Sequence, residues 1–122
     1  MRIFGLLCIA LAGWGADWPQ FRGPNGAGVA EDGHAYPAMF RTIWKAAVAE
    51  GLSSPVVAGP RIFVTGLEGE RFVVAALDRA SGRELWKRHV PRARAEKLHK
   101  LNHAASPSVA VAEGRVVAFL PD

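Results

Sequence analysis

Cysteine is nearly absent: Cys8 is the only one in 122 residues, and it sits inside the first apolar stretch. A lone thiol forms no internal disulfide and no multi-cysteine metal site. Aromatics are sparse as well, at 9%, with a single tyrosine. No apolar run reaches the roughly 18 residues that a membrane-spanning helix needs, so none of the chain is expected to span a bilayer. Long helices are not expected either, because thirteen Gly and eight Pro punctuate the chain with turn signals. Apolar character, by contrast, is plentiful. Half of the residues are hydrophobic and 21% are charged, a balance that excludes a disordered chain and leaves room for one small domain.

The beginning reads as a targeting segment. Arg2 supplies a positive start, residues 3–12 are apolar apart from Gly5, and Ala10-Leu11-Ala12 has the small-x-small form of a cleavage site. Ala16 is a weaker second choice, since Trp14 precedes it. A lipoprotein signal fits less well: Leu7 stands before Cys8 where a small residue is wanted. Residues 1–16 are therefore expected to be a secretory signal peptide, and the mature chain to be exported, periplasmic or extracellular, and free of cysteine.

Without Arg2 the cations fall from 15 to 14 against 11 acids, a net charge of +3. The excess is local: Arg79, Arg83, Lys87, Arg88, Arg92, Arg94, Lys97 and Lys100 face only Glu84 and Glu96. Such a stretch can serve an anionic partner or simply form a solvated outer strand and loop. The second reading is preferred and nucleic acid is not expected, because no aromatics interleave the charges as stacking platforms.

Residues 17–40 form a turn-rich arm around Asp17-Trp18-Pro19-Gln20-Phe21-Arg22-Gly23-Pro24-Asn25-Gly26-Ala27-Gly28, with Trp18 and Phe21 as anchors on an apolar surface. These glycines do not read as a phosphate cradle, since no strand precedes them and no helix follows. Residues 42–46 (Thr-Ile-Trp-Lys-Ala) are a candidate strand. Strands are then expected at 54–58, 61–65, 72–77 and 83–90, joined by turns at Gly59-Pro60, 66–69 and 78–82. Consecutive apolar residues at 62–64 and 72–77 require both sheet faces to be covered. Small residues mark the first strand as crowded, and Lys87, Arg88 and His89 mark the fourth as an outer edge. A sheet covered on both faces, tight inside and polar outside, describes a propeller blade. Ser54-Pro55-Val56-Val57-Ala58 recurs as Ser106-Pro107-Ser108-Val109-Ala110, and Arg61-Ile62-Phe63-Val64 as Arg115-Val116-Val117-Ala118, at offsets of 52 and 54 residues. One period near 50 residues is blade-sized.

One turn is rich in local chemistry. Asp78 and Ser81 can bond turn amides, Gly82 allows the closing backbone angle, and Trp86 offers a large apolar area to a neighbouring sheet. The segment Ala76-Leu77-Asp78-Arg79-Ala80-Ser81-Gly82-Arg83-Glu84-Leu85-Trp86 resembles the tryptophan-docking motif of the pyrroloquinoline-quinone (PQQ) repeat propellers. That pattern is Ala, any residue, Asp, a turn ending in Gly, three residues, then Trp, and Ala76, Asp78, Gly82 and Trp86 fill it. The opening from Asp17 to Gly26 is similar to that of secreted bacterial members, and Ser53-Ser54-Pro55-Val56-Val57 with Arg61-Ile62-Phe63-Val64 to their first inner strands.

The resemblance implies an all-β fold: a partial β-propeller of about one and a half four-stranded antiparallel blades. Residues 41–122 would comprise a ring-closing strand (41–47), a first blade (53–90), a basic interblade loop (91–105) and the start of a second blade (106–122). In the family the motif tryptophan docks between blades, so Asp78 is architectural and not catalytic. Some members are dehydrogenases that use PQQ with calcium, and others are scaffolds without a cofactor. No catalytic, cofactor or metal residue is assigned here, and PQQ with calcium is implied only under the dehydrogenase alternative. The expected role is a non-catalytic binding or scaffold platform in the cell envelope, with a protein partner. His99 and His103 have a metal-ligand spacing if 95–104 is helical, but no third ligand accompanies them, and His34 and His89 read as surface or edge residues. Stacked units need about three repeats for stability, so an N-terminal fragment of a longer propeller, with its remaining blades, is the expected context.

Overall fold

A computed structural model describes residues 16–30, 39–95 and 97–121. The expected signal peptide, apart from Ala16, and His34 lie outside the described residues. Among the described residues, six strands and one short 3-10 turn at Pro24–Gly26 make up the regular structure. The strands are β1 (Val56–Ala58), β2 (Arg61–Glu68), β3 (Arg71–Asp78), β4 (Glu84–Pro91), β5 (Ala110–Ala112) and β6 (Arg115–Val117). The first four form an up-and-down antiparallel sheet in the order β1-β2-β3-β4, and β5-β6 form a second sheet of two strands. The fold is all-β, and neither sheet closes on itself.

Strand β3 shows why the first sheet must be sandwiched: Phe72 to Leu77 are all buried. Side chains alternate between faces along a strand. Phe72, Val74 and Ala76 belong to apolar clusters completed from the second hairpin and its approach: Val109, Val111 and Val116 on one side, Ala104 and Ala105 on the other. Val73, Ala75 and Leu77 point the opposite way. That face is crossed by the chain between Trp44 and Glu50, where Leu67 N–H donates to Glu50 O at 2.7 Å.

Two expectations are corrected. Residues 66–69 do not form a turn, because β2 runs through Gly66 and Leu67 to Glu68. A Cβ on buried Gly66 would lie 2.4 Å from the Ala49 methyl, so this glycine serves a close backbone approach inside a strand. Residues 42–46 form no strand here; they have no ladder partner among the described residues, and their tryptophan is used differently. In the stretch expected as a loop, the described residues of 95–104 are coil and turns, so the helical condition for a His99–His103 ligand pair is not met.

The repeat is cleaner in space than in sequence. Hairpin β5-β6 reproduces β1-β2 with a uniform offset of 54: Ala58 pairs with Arg61 and Ala112 with Arg115, each across a two-residue turn. The offset of 52 for the Ser-Pro pairs is therefore not the structural one. Ser54 N–H instead donates to Ser108 Oγ at 2.8 Å, 54 residues away. The N-terminal arm ties the two units together. Trp18 and Val57 exchange both backbone hydrogen bonds at 2.8 Å, Val111 N–H donates to Pro19 O at 2.8 Å, and Gly59 N–H donates to Asp17 Oδ1 at 2.8 Å.

Candidate functional site

The turn between β3 and β4 is built from its own hydrogen bonds. Asp78 Oδ1 accepts from the Ser81 hydroxyl at 2.6 Å and from Ser81 N–H at 2.8 Å, and Gly82 N–H returns to Asp78 O at 2.8 Å. The Ser81 hydroxyl first, and then its amide, hold the Asp78 carboxyl below its ordinary pKa. Both bonds are local, so this carboxylate organises a turn. Gly82 has φ 73°, a left-handed angle that suits glycine.

A tryptophan lies over that glycine, and it is Trp44. Its indole N–H donates to Arg79 O at 3.0 Å, and a Cβ on Gly82 would fall 2.4 Å from its ring. The indole is thus held by one directional bond and by face contact with a backbone that has no side chain in the way. Sequence reasoning gave Trp44 to a ladder strand and missed this use. A signal was available: Ile43-Trp44-Lys45 has the same apolar-Trp-Lys form as Leu85-Trp86-Lys87.

Trp86 is half-buried on β4. It packs on the inter-sheet cluster of Val56, Phe63, Val74, Ala76 and Val109, with its ring 6.0 Å from that of Phe63 at a tilt of 50°. Ala76, fully buried, lies directly across the ladder from it. The other side of the indole is open. A cleft of about 460 Å³ runs between the two sheets, floored by Phe63, Trp86, Val111 and Val116, with Arg61 and Glu113 also lining it. Its origin is geometric: the first sheet has four strands and the second only two. Arg88, its guanidinium 6.0 Å from the indole centroid, adds a cation to the Trp86 face.

The basic stretch is not one surface. Lys87 is paired with Glu68 at 2.8 Å and Glu84 at 3.4 Å, and His89 Nε2 lies 2.9 Å from Glu68 Oε2. Lys87 and then His89 lower the Glu68 pKa, and Glu68 in turn raises that of Lys87. His99 Nδ1 accepts from Leu101 N–H at 3.3 Å, and His103 Nδ1 from Ala105 N–H at 3.1 Å. Each ring therefore serves a turn, and its accepting nitrogen is already engaged. Among the described residues no three His, Cys, Asp or Glu side chains converge as metal ligands would. Among those residues, too, no helix is long and apolar enough to cross a membrane. No family model, curated protein or solved structure matches this chain.

Proposed function

We propose that this chain is an exported, PQQ-like β-propeller repeat module that acts as a non-catalytic binding and scaffold platform in the cell envelope. The observation that carries the reading is the seating of Trp44 on the Asp78–Gly82 turn, with its N–H on Arg79 O. A tryptophan from one segment laid on the Asp-turn-Gly of a sheet is a joint between stacked units. Trp86, in a matching triplet and open to a cleft, is positioned to make the next one. The 54-residue structural repeat supports the same reading. So does the two-stranded second sheet, whose β6 edge is unpaired among the described residues. The platform would accept an antiparallel strand pair that extends β6 and covers Trp86, with main-chain bonds supplying affinity and the indole floor supplying register.

A photo-crosslinking residue at Val117, on β6, tests this in cells that express the protein from its natural locus. Capture of one defined envelope protein, or of further strands of the same repeat type, is the expected result. If the purified protein instead binds PQQ with calcium and oxidises alcohols with a dye acceptor, the platform reading is overturned in favour of the dehydrogenase.

A further inference from the structure

Beyond the platform role, the tip of the N-terminal arm carries a reactive pair. We propose that Asn25-Gly26 is a self-modification site, held unreactive while the arm is docked and converted to an isoaspartyl link when the arm lifts. Asn25 is exposed on the 3-10 turn, with φ 55° and ψ 11°. The only co-reactant is water. The Gly26 amide nitrogen attacks Asn25 Cγ, and the side-chain nitrogen leaves as ammonia, taking up the amide proton. Water then opens the five-membered succinimide. Attack at the main-chain carbonyl gives isoaspartate, and attack at the former side-chain carbonyl gives aspartate. Gly26 suits the first step, because it has no side chain to shield its nitrogen and the space around it is open.

The docked geometry opposes that step. At ψ 11° the Gly26 nitrogen nearly eclipses the Asn25 backbone nitrogen, whereas the ring requires it alongside Cβ. The Gly26 N–H is also engaged, donating to Gly23 O at 3.2 Å, and Ala27 N–H donates to Pro24 O at 3.2 Å. Gly28 N–H closes the loop on Arg22 O at 2.7 Å. The turn must open before the ring can form. Two features favour opening: the bonds across the tip are at the long end of the hydrogen-bond range, and Arg22 holds a left-handed φ of 62°, which is costly for a residue with a side chain. The turn is kept closed by its seat. Gly23 is buried against Trp18, where a Cβ would fall 2.6 Å from the indole, and Trp18 is fixed by its two bonds to Val57. Reactivity at Asn25 therefore follows the state of the clasp. The product also breaks it. An isoaspartyl link lengthens the main chain by one methylene, so the bonds from Gly26 and Ala27 no longer close in register. The turn under Trp18 is then lost, and with it the ties from Trp18 to β1 and from Pro19 to β5.

The reaction involves neither a partner nor the cleft at Trp86, so its test does not depend on the platform role. The full chain is incubated at mildly alkaline pH, in buffer and in urea. Asn25 is followed by peptide mass spectrometry, with isoaspartyl methyltransferase labelling to identify the product. Conversion should be at least about tenfold slower in buffer, since opening breaks several turn bonds and one net hydrogen bond already approaches that factor. W18A, whose turn has lost its seat, should approach the urea rate in buffer while circular dichroism shows the sheet retained. The converted fraction, separated by its added negative charge, should exchange the Val57 and Val111 amide protons faster than fresh protein. N25G keeps the left-handed angle without strain and has no carboxamide, so its exchange should stay slow after the same incubation. Equal rates in buffer and urea, or a wild-type rate in W18A with the sheet intact, overturn the proposal. So does a converted fraction that exchanges as slowly as fresh protein. Should W18A lose its sheet, the comparison of buffer with urea and the exchange of the converted fraction still decide.

Discussion

Gly82 and Trp44 define the most demanding contact in the molecule. Gly82→Ala would place a methyl 2.4 Å from the indole at φ 73°. The left-handed backbone alone costs about 1–2 kcal/mol, and displacing Trp44 adds to it. Urea unfolding should show a lowered midpoint, together with a red-shifted tryptophan emission as Trp44 leaves its seat; an unchanged midpoint would remove the joint from the account. Trp44→Phe keeps much of the stacking and loses only the bond to Arg79 O. That bond is worth about 1 kcal/mol, so this variant should fall between wild type and Gly82→Ala. The turn angle of Gly82 was legible from residue type, but its contact with Trp44 was not. Glycine in a turn announces itself, but the partner of a glycine surface lies 38 residues away and is found only in three dimensions.

At the level of strands, the alternation and turn chemistry of the sequence sufficed for the four-stranded meander, to within a few residues at each end. The consecutive apolar run 72–77 also indicated a sheet covered on both faces, and those residues are buried. The misreadings share a physical cause. Gly66 was read as a turn because glycine usually opens one, yet here its missing side chain admits Ala49. Gly66→Ala should therefore destabilise by about 1–3 kcal/mol through overpacking, and Ala49→Gly in the same chain should restore part of the loss. Absence of any rescue in that double variant would show that the contact is not the cause. The charges of β4 and the end of β2 predict a pH response. Glu68 is lowered from 4.5 by Lys87 and His89, so its contribution is present above that value and fades as pH falls through the folded pKa. Lys87 is raised from 10.5, and its contribution is present below that value and fades as pH rises through the folded pKa. Thermal melts between pH 3 and 6 should show a shallower acid limb in Glu68→Gln than in wild type. Parallel limbs would mean that the pair is silent.

On the scale of the whole molecule, both covers of the first sheet are themselves sticky outside. Met39, Phe40 and Ile43 are 87%, 77% and 71% exposed on or beside the segment that crosses one face. On the side of the second hairpin, Val117 and Phe119 are 62% and 78% exposed. Surfaces of this kind seek partners. The purified chain should self-associate in sedimentation velocity as concentration rises. Ile43→Ser with Phe119→Ser should shift it toward the monomer without loss of β-sheet circular dichroism. A wild type that stays monomeric at every concentration would show that these surfaces need no cover.

The arm has a consequence in time. Trp18 bonds to Val57 and Pro19 to Val111, so this arm is clasped by elements that the ribosome makes much later. Closing a loop of some 90 residues is entropically slow. The two sheets therefore cannot lock together until synthesis has passed β5. Until then the nascent chain stays open, and the clasp makes the joining of the two sheets the last step of folding rather than the first.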